Sequence, residues 1–396
     1  MSYIFLPLIL LTGTLLRFYN NTAIALWHDE AFSALMPQYS WGEMFYRLGL
    51  DVHPPLYYIL LKIWIALTGD SLFALRFFSV IFGVLTIWAG YLFAKAAFGS
   101  KKLALLAAFF LAINPFQIQY AVEARMYTLG TFLILFSSYL LVRALDNKKY
   151  WIWYGVAVAA AVYTHYYLIF SVVAQGLFIL IYLLKSQNIK LLWRAAGAYA
   201  LSLILLLPWL KTFLQQLGRV EQNYWIPAMS KWSVPGTVWK MAFGGQGIRN
   251  SVLLAATIIS IILILYFLKK VRGFQKWHVF FGLTVPFVAA ILVSLRTNLY
   301  LDRYFVFASL YFVILITLTI THFKRYKTIW VITLAIATLF TFFKNWKELD
   351  IKDKPGMGEA ARYVNSNART SDQIYVGSSF VYFTFKYYNK TGLAPL

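Results

Sequence analysis

The chain has 396 residues, of which 61% are hydrophobic, 19% aromatic and only 13% charged. The charged share is about half that of an ordinary soluble domain, too little for the polar surface of a soluble fold this long. The composition therefore excludes a soluble globular protein, a disordered chain and a fibrous repeat. Because the apolar runs are continuous rather than alternating, they predict an all-α polytopic membrane protein and not a β-barrel.

Basic residues outnumber acidic ones by 36 to 14, which gives a formal net charge of +22. They stand between the apolar runs rather than on one soluble face, so a nucleic-acid partner is not expected. The bias fits the retention of Lys and Arg in cytoplasmic loops. The absence of cysteine excludes disulfides and thiolate sites.

Eleven apolar runs are candidates for membrane spans, since a spanning helix needs roughly 17 to 25 residues. They are 3–19, 71–96, 103–119, 127–145, 151–164, 166–184, 191–211, 251–268, 279–295, 304–321 and 328–343. No basic residue precedes the first run and no small-residue cleavage site follows it, so we expect a retained helix. The run from Leu56 to Leu67 is shorter and suits a re-entrant or interfacial helix.

Basic residues occupy alternate short loops between these runs. They are Lys101-Lys102, Lys148-Lys149, Lys185 with Lys190, Lys269-Lys270-Arg272-Lys276 and Lys324-Arg325-Lys327. If these loops are cytoplasmic, the N-terminus is cytoplasmic too. The outward segments are then 20–70, 120–126, 212–250, 296–303 and the tail from 344.

Two parts follow from this pattern: a transmembrane domain at 1–343 and an extracytoplasmic segment at 344–396. Gly358 to Asn365 has helical spacing and Gln373 to Val376 has the pattern of a strand. We therefore expect the start of a small α/β unit. The chain stops at Leu396 soon after that unit begins, which is also the pattern of a shortened chain.

The outward segments hold most of the residues that could carry chemistry. Asp29 and Glu30 follow Trp27-His28 just beyond the first run. Adjacent carboxylates on a helix point about 100° apart, so we expect one to do chemistry and the other to structure the site. In the alternative, Asp29 is the N-cap of a short helix from Glu30 to Met36.

The hexapeptide Asp51-Val52-His53-Pro54-Pro55-Leu56 is conformationally restricted. Pro54 keeps His53 out of the helical region, and Pro55 suits the first turn of the helix that follows. This would fix the imidazole at the edge of the loop. The alternative is an ordinary proline-started helix with a chance histidine.

Further candidate side chains lie at other outward positions: Glu123, Arg125, His165, Arg303 and Tyr304. Ionisable groups at the membrane are costly and therefore indicate function, and Arg forks suit phosphate oxygens. Each has a structural alternative. These are a helix-start ion pair for Glu123 and Arg125, a packed histidine at 165, and an Asp302–Arg303 pair that anchors a helix end.

The motifs Trp27-His28-Asp29-Glu30-Ala31-Phe32, Asp51-Val52-His53-Pro54-Pro55-Leu56 and Gly69 through Leu75-Arg76 resemble the family 39 glycosyltransferases. These are the protein O-mannosyltransferases and their bacterial relatives, including the lipid A aminoarabinose transferases. The resemblance covers roughly residues 20–140, with weaker similarity at His165 and at Asp302-Arg303-Tyr304. The chain departs from the pattern in two places. Aminoarabinose transferases usually have Lys where His53 stands, and family members often have Asp near Glu123 and Arg125.

The resemblance implies a GT-C fold, in which helices of the first outer loop lie along the membrane. It implies transfer of a mannose-like hexose from a polyprenyl-phosphate donor to a hydroxyl of a protein, glycolipid or envelope glycan. Asp29 matches the catalytic carboxylate of the family and Glu30 its neighbour. We expect substrate binding by His28, His53, Glu123, Arg125, His165, Arg303 and Tyr304 in the cytoplasmic membrane, with the site facing outward.

Two other classes of function remain open. A transporter or flippase for lipid-linked sugars would also explain the spans, but such proteins often have two similar halves, and the His-Pro-Pro block has no second copy. A noncatalytic assembly subunit would be expected to lose the Asp-Glu pair.

Two further features of the outward segments are open to alternative interpretations. We expect no required metal or cofactor, although His28, Asp29, Glu30, His53 and Glu123 could bind a divalent cation if they converged. The aromatic residues at 224–232 are either interfacial belt residues or a platform for a sugar ring.

Overall fold

The computed structural model describes residues 4–19, 21–222, 225–245, 247–323, 327–347 and 357–396. The sequence predictions that fell on Tyr3, Tyr224, Lys324, Arg325 and 348–356 lie outside these described residues.

Within these ranges the chain forms eighteen α-helices and two short 3-10 turns, Met36–Gln38 and Asp302–Phe305. The α-helices are α1 (Phe5–Phe18), α2 (His28–Leu35), α3 (Trp41–Leu50), α4 (Leu56–Thr68), α5 (Leu72–Phe98), α6 (Lys101–Ile113), α7 (Pro115–Ala121), α8 (Tyr127–Asp146), α9 (Tyr150–Thr164), α10 (Leu168–Ser186), α11 (Ile189–Gln222), α12 (Ser233–Phe243), α13 (Asn250–Lys270), α14 (Lys276–Ser294), α15 (Val306–Thr321), α16 (Lys327–Lys347), α17 (Met357–Asn367) and α18 (Ser379–Tyr388).

Eight described helical segments are long and apolar enough to cross a membrane: α5, α8, α10, α11, α13, α14, α15 together with the 3-10 turn before it, and α16. The pair α6 and α7, bent by 58°, makes a ninth if it is one span. The predicted helical, multi-pass membrane protein is confirmed. Eleven spans are not confirmed, because the runs at 3–19 and 151–164 form the shorter helices α1 and α9, of 14 and 15 residues.

The bend between α6 and α7 is stabilised by a buried arginine from α1. Arg17 donates to the carbonyl oxygens of Ala112, at 2.8 Å, and Leu111, at 3.2 Å. These carbonyls belong to the last turn of α6, which has no further helical donors. Asn114 then caps α7 by accepting from the backbone N–H of Gln117 at 3.0 Å. The bend directs α7 towards the loop that carries Glu123 and Arg125.

Helices α2, α3 and α4 form their own cluster on the N-terminal end of α5. Its core includes Ala31 of α2, Leu48 of α3, Tyr58 of α4 and Leu75 of α5. As predicted, the run from Leu56 forms a short helix, α4, with 13 residues. This cluster supports α2, the helix that carries Asp29 and Glu30.

The predicted C-terminal helix is confirmed, whereas the predicted strand is wrong. Gln373 to Val376 is extended, but none of the described residues there is assigned to a strand. Among the described residues its backbone pairs only with Leu396, through hydrogen bonds of 3.0 Å from Val376 and 2.9 Å to Ile374. A single facing residue cannot build a ladder. The described part of this segment is therefore helical, with α17 packed on α18 and α18 packed on α2, rather than an α/β unit.

Candidate active site

Helix α2 presents Asp29 and Glu30 to different partners. The helix begins at His28 with Trp27 as its N-cap residue, so the alternative that made Asp29 the N-cap is wrong. The Glu30 carboxylate accepts from the backbone N–H of Trp27 at 3.4 Å, as in a capping box. The N-cap of the helix therefore lies two residues before Asp29.

Glu30 is buried, and both of its carboxylate oxygens are engaged. Arg76 of α5 donates from Nε to Oε1 and from Nη2 to Oε2, both at 2.8 Å. The backbone N–H of Ala124 also donates to Oε1, at 2.7 Å. The remaining Arg76 nitrogen, Nη1, donates to the carbonyls of Asn21 and Ile24. One ion pair thus ties α2, α5, the segment before α2 and the loop before α8 together.

Asp29 points away from this ion pair and remains partly open, with 27% of its side chain exposed. Its Oδ2 lies 3.1 Å from Arg303 Nη1 and 4.0 Å from Arg125 Nη2. The guanidinium of Arg303 also lies over the indole rings of Trp27 and Trp225. The carboxylate therefore sits in a positive field formed by two arginines from distant segments.

Arg125 is almost fully buried and joins four groups of the first outer loop. Its Nη1 donates to the Asp29 carbonyl at 3.0 Å and to Ser33 Oγ at 3.1 Å, and lies 3.5 Å from the Tyr58 hydroxyl. Its Nη2 lies 2.9 Å from His53 Nε2. Arg125 thus fixes the backbone of Asp29 as well as its surroundings.

His53 lies between Arg125 and Asp51. A guanidinium only donates, so His53 Nε2 accepts from Arg125 and the imidazole proton lies on Nδ1. That nitrogen is 2.5 Å from Asp51 Oδ2. Burial alone would raise the pKa of Asp51, but its electrostatic interaction and hydrogen bond with His53, together with the charge of Arg125, lower it to about 2. Asp51 therefore stays ionised and orients the ring.

Glu123 lies in the loop before α8 with a carboxyl group that is short of partners. Its Oε2 is buried and has no hydrogen-bond partner within the described part of the chain. Burial raises the pKa of Glu123, and the charge of Glu30 adds to this, while Arg303 and Arg125 oppose it, which gives a pKa of about 8. Glu123 is consequently mostly protonated at neutral pH.

His165 and Tyr304 are packed against each other with ring centroids 4.9 Å apart. His165 Nδ1 accepts from the backbone N–H of Tyr167 at 3.1 Å. Burial lowers the pKa of His165 well below its usual value, and the charges of Arg125 and Arg303 lower it further. This ring is therefore neutral and held by its aromatic neighbours.

An apolar cavity of about 260 Å³ adjoins these side chains. Its wall is formed mainly by aromatic and aliphatic residues, among them Phe170 of α10 and Phe213 of α11. His53, His165 and Tyr304 also line it. Asp29 does not line this cavity. Its neighbour Arg125 donates to His53, and His53 does line the cavity. The cavity is thus linked to Asp29 through two side chains.

Of the predicted site residues, the structure brings Asp29, His53, Arg125 and Arg303 together, with Glu123, His165 and Tyr304 around them. His28 lies elsewhere: its Nδ1 is 3.1 Å from the Phe380 carbonyl and its ring packs on Phe383 of α18. Nothing in the sequence analysis identified Arg76 as the partner of Glu30. The available signal was the position of Arg76 near the start of the apolar helix α5, because a charged residue in such a helix needs an oppositely charged or polar partner.

Among the residues that the structure describes, no three His, Asp or Glu side chains are grouped as a metal site requires. Independence from metal remains a prediction.

The family described as "Dolichyl-phosphate-mannose-protein mannosyltransferase" matches residues 52–211. A curated relative, an uncharacterized protein of Aquifex aeolicus (strain VF5), is 30% identical over 167 residues, which cover 39% of this chain and 32% of the relative. The chain thus matches about a third of that relative's length. The resemblance predicted from the motifs is confirmed over the matched residues 52–211.

Solved structures show a similar fold. The oligosaccharyltransferase of Archaeoglobus fulgidus, in complex with Zn and sulfate, has a TM-score of 0.62 at 14% identity, with 99% of this chain and 62% of that chain covered. ArnT from Cupriavidus metallidurans bound to undecaprenyl phosphate has a TM-score of 0.66 at 14% identity, with 98% and 85% covered. At such identities the likeness concerns the fold alone, and the predicted GT-C fold is confirmed.

Proposed function

We propose that the chain is a membrane glycosyltransferase. It would move a mannose-like hexose from a polyprenyl-phosphate donor to a hydroxyl of a protein, glycolipid or envelope glycan. The observation that carries this proposal is the position of Asp29, a partly open carboxylate held by Arg303 and Arg125 beside an apolar cavity. The mannosyltransferase description of the family matched by residues 52–211 supports the class of reaction and of sugar.

The apolar cavity suits the isoprenoid chain of the donor. Its wall is mostly hydrocarbon and lies between membrane helices, while His53 and His165 mark a polar end. A ligand with an apolar tail and an anionic head would place the head at that end, towards Arg125 and Asp29. The similar structure of ArnT was solved with undecaprenyl phosphate, a ligand of this kind.

Arg303 is the best placed cation for the donor phosphate. About a fifth of its side chain is exposed, against 2% for Arg125, so it can reach a ligand without breaking a buried network. A phosphate that binds Arg303 competes with Asp29 for the same guanidinium. Donor binding would then release Asp29 from its ion pair and leave the carboxylate free to accept a proton.

The transfer step uses Asp29 as the general base. Asp29 takes the proton of the acceptor hydroxyl, the acceptor oxygen forms a bond to the anomeric carbon, and the bond from that carbon to the phosphate oxygen breaks. Polyprenyl phosphate leaves with the electron pair, and Arg303 stabilises its new charge. Glu30 positions α2 through Arg76 and does not take part in proton transfer.

The arrangement of charge supports a site on the outer side of the cytoplasmic membrane. Helix α8 begins at Tyr127 beside the site and runs 20 residues, or about 30 Å. The basic loop at Lys148-Lys149 therefore lies at the far end, where cytoplasmic loops are expected. Asp29 lies at a helix-bundle end rather than mid-bundle, which favours transfer over transport of the lipid-linked sugar.

The proposal is tested with membranes that contain the full chain and radiolabelled polyprenyl-phosphate mannose. Asp29→Asn should reduce transfer of label to envelope fractions by at least about a hundredfold, because general base catalysis contributes that much. Asp146→Asn, an exposed residue at the far end of α8, is the matched control and should transfer normally. Normal transfer by Asp29→Asn would refute the proposal.

A further inference from the structure

A second cavity, of about 330 Å³, lies beside the same site and has a different character. It is bounded by α12, by the loops on either side of that helix and by Tyr300, Leu301 and Asp302. Its volume is at the small end of ligand-binding pockets, which suits a single small group.

The segment 299–304 separates the two cavities. Leu299 and Tyr304 line the apolar cavity, whereas Tyr300, Leu301 and Asp302 line the second one. The two sets of described lining residues have no member in common. Arg303, which holds Asp29, belongs to this dividing segment. A donor in the first cavity and an acceptor in the second would therefore meet at the Arg303–Asp29 pair.

The second cavity has polar and indole groups among its apolar lining residues. Lys240 of α12 forms an ion pair with Asp302 across it, and the Tyr300 hydroxyl donates to Thr237 Oγ1 at 2.9 Å. Trp232 and Trp239 complete this lining. The buried Trp239 Nε1–H has no hydrogen-bond partner among the described residues, and such a donor is costly unless a ligand or water accepts from it.

This combination fits the ring of a sugar better than an extended peptide. A pyranose presents hydroxyls at its edge, which can bond to the ion pair and to the indole N–H. It presents C–H groups on its faces, which can pack on the faces of the tryptophans. An extended peptide acceptor would need a strand edge with free backbone groups, and none of the described lining residues belongs to a strand. The volume of the cavity, about 330 Å³, suits about one sugar ring.

We propose that this second cavity binds the terminal hexose ring of a carbohydrate acceptor and directs its hydroxyl to Asp29. The inference rests on the proposed function, and it makes the acceptor a glycan or glycolipid rather than a protein side chain. Lys240 and Asp302 bind ring hydroxyls, and Trp239 donates to one of them. Arg303, the neighbour of Asp302, couples the acceptor cavity to the donor phosphate.

The test uses the purified full chain with labelled polyprenyl-phosphate mannose and two acceptor types. The acceptors are p-nitrophenyl α-mannoside, α-glucoside and β-galactoside on one side, and a Ser/Thr-containing peptide on the other. We expect transfer to at least one glycoside. Trp239→Phe should raise the KM for that glycoside at least about fivefold, because one hydrogen bond is lost, and leave the KM for the donor unchanged. Trp153→Phe, at an exposed position of α9, is the matched control and should change neither constant.

A second readout does not depend on turnover. A diazirine derivative of p-nitrophenyl α-mannoside should label α12 on illumination, and unmodified glycosides should compete with it. Transfer to the peptide alone, an unchanged acceptor KM in Trp239→Phe, or labelling away from α12 would overturn the inference. If the wild-type chain consumes no donor but α12 is labelled, the proposed function fails while the sugar cavity stands.

Discussion

Arg303 Nη1 lies 3.1 Å from Asp29 Oδ2, although 274 positions separate the two residues in the chain. The contact joins α2 to the 3-10 turn that precedes α15. It brings a partly open carboxylate and an arginine to the segment that separates the two cavities.

Replacement of Arg303 by Gln should lower kcat for sugar transfer by about a hundredfold, because the leaving phosphate loses the cationic hydrogen-bond donor that stabilises its developing charge. Arg303→Lys should recover part of this activity, since it restores the charge but not the planar fork. The measurement is initial rate against donor concentration in purified protein. Exposed Arg362→Gln serves as control, and equal kcat for Arg303→Gln and wild type would contradict the role of Arg303.

The buried pair of Arg76 and Glu30 should matter for stability rather than for chemistry. Arg76→Met leaves the Glu30 carboxylate buried without its main partner, which should cost about 3–5 kcal/mol. Thermal unfolding in detergent should therefore occur at a clearly lower temperature. The double variant Arg76→Met with Glu30→Met should be more stable than Arg76→Met alone. If the single variant unfolds like wild type, this pair does not hold α2 on α5.

Glu123 should make stability depend on pH. Its pKa in the folded protein is about 8, above the usual 4.5, so between these values the folded state keeps a proton that the unfolded chain has lost. The contribution of this group is therefore full below pH 4.5 and declines as the pH rises towards 8. Glu123→Gln should remove that part of the decline in unfolding temperature, whereas exposed Glu359→Gln should follow wild type. Identical pH profiles for Glu123→Gln and wild type would contradict the burial of a protonated carboxyl.

Filling the apolar cavity should weaken donor binding without affecting the chemistry. Val220 lines this cavity, and Val220→Trp should raise the KM for a long-chain polyprenyl-phosphate mannose by about tenfold through overpacking against the lipid. A short-chain analogue of the donor should be affected less. Val173→Trp, at an exposed position of α10, is the control. Equal KM values for the long-chain donor in Val220→Trp and wild type would place the lipid elsewhere.

The apolar runs and the Asp29 motif could be recognised in the sequence because both signals are local. Hydropathy over about 20 residues is enough to predict a span, and a restricted His53-Pro54-Pro55 segment needs only its own residues. The start of α2 was misjudged, since Trp27 with Glu30 caps the helix in place of Asp29. The strand at Gln373 to Val376 failed because a strand also requires a partner, which no local pattern supplies.

The partners within the site could not be predicted, since they are long-range. Glu30 and Arg76 are 46 positions apart and Arg125 and His53 are 72 apart. Which of two adjacent carboxylates is buried depends on where α5 places Arg76 relative to α2. The division of two cavities by 299–304 likewise depends on how α12 and α10 pack on either side of that segment.

The most direct test is an experimental structure of the full chain with polyprenyl-phosphate mannose bound. We predict the isoprenoid chain in the cavity lined by Phe170 and Phe213, the phosphate on Arg303, and the Asp29 carboxylate free of Arg303 and facing the anomeric carbon. A donor whose phosphate contacts neither Arg303 nor His53, with Asp29 still paired to Arg303, would contradict a role for Asp29 as the base.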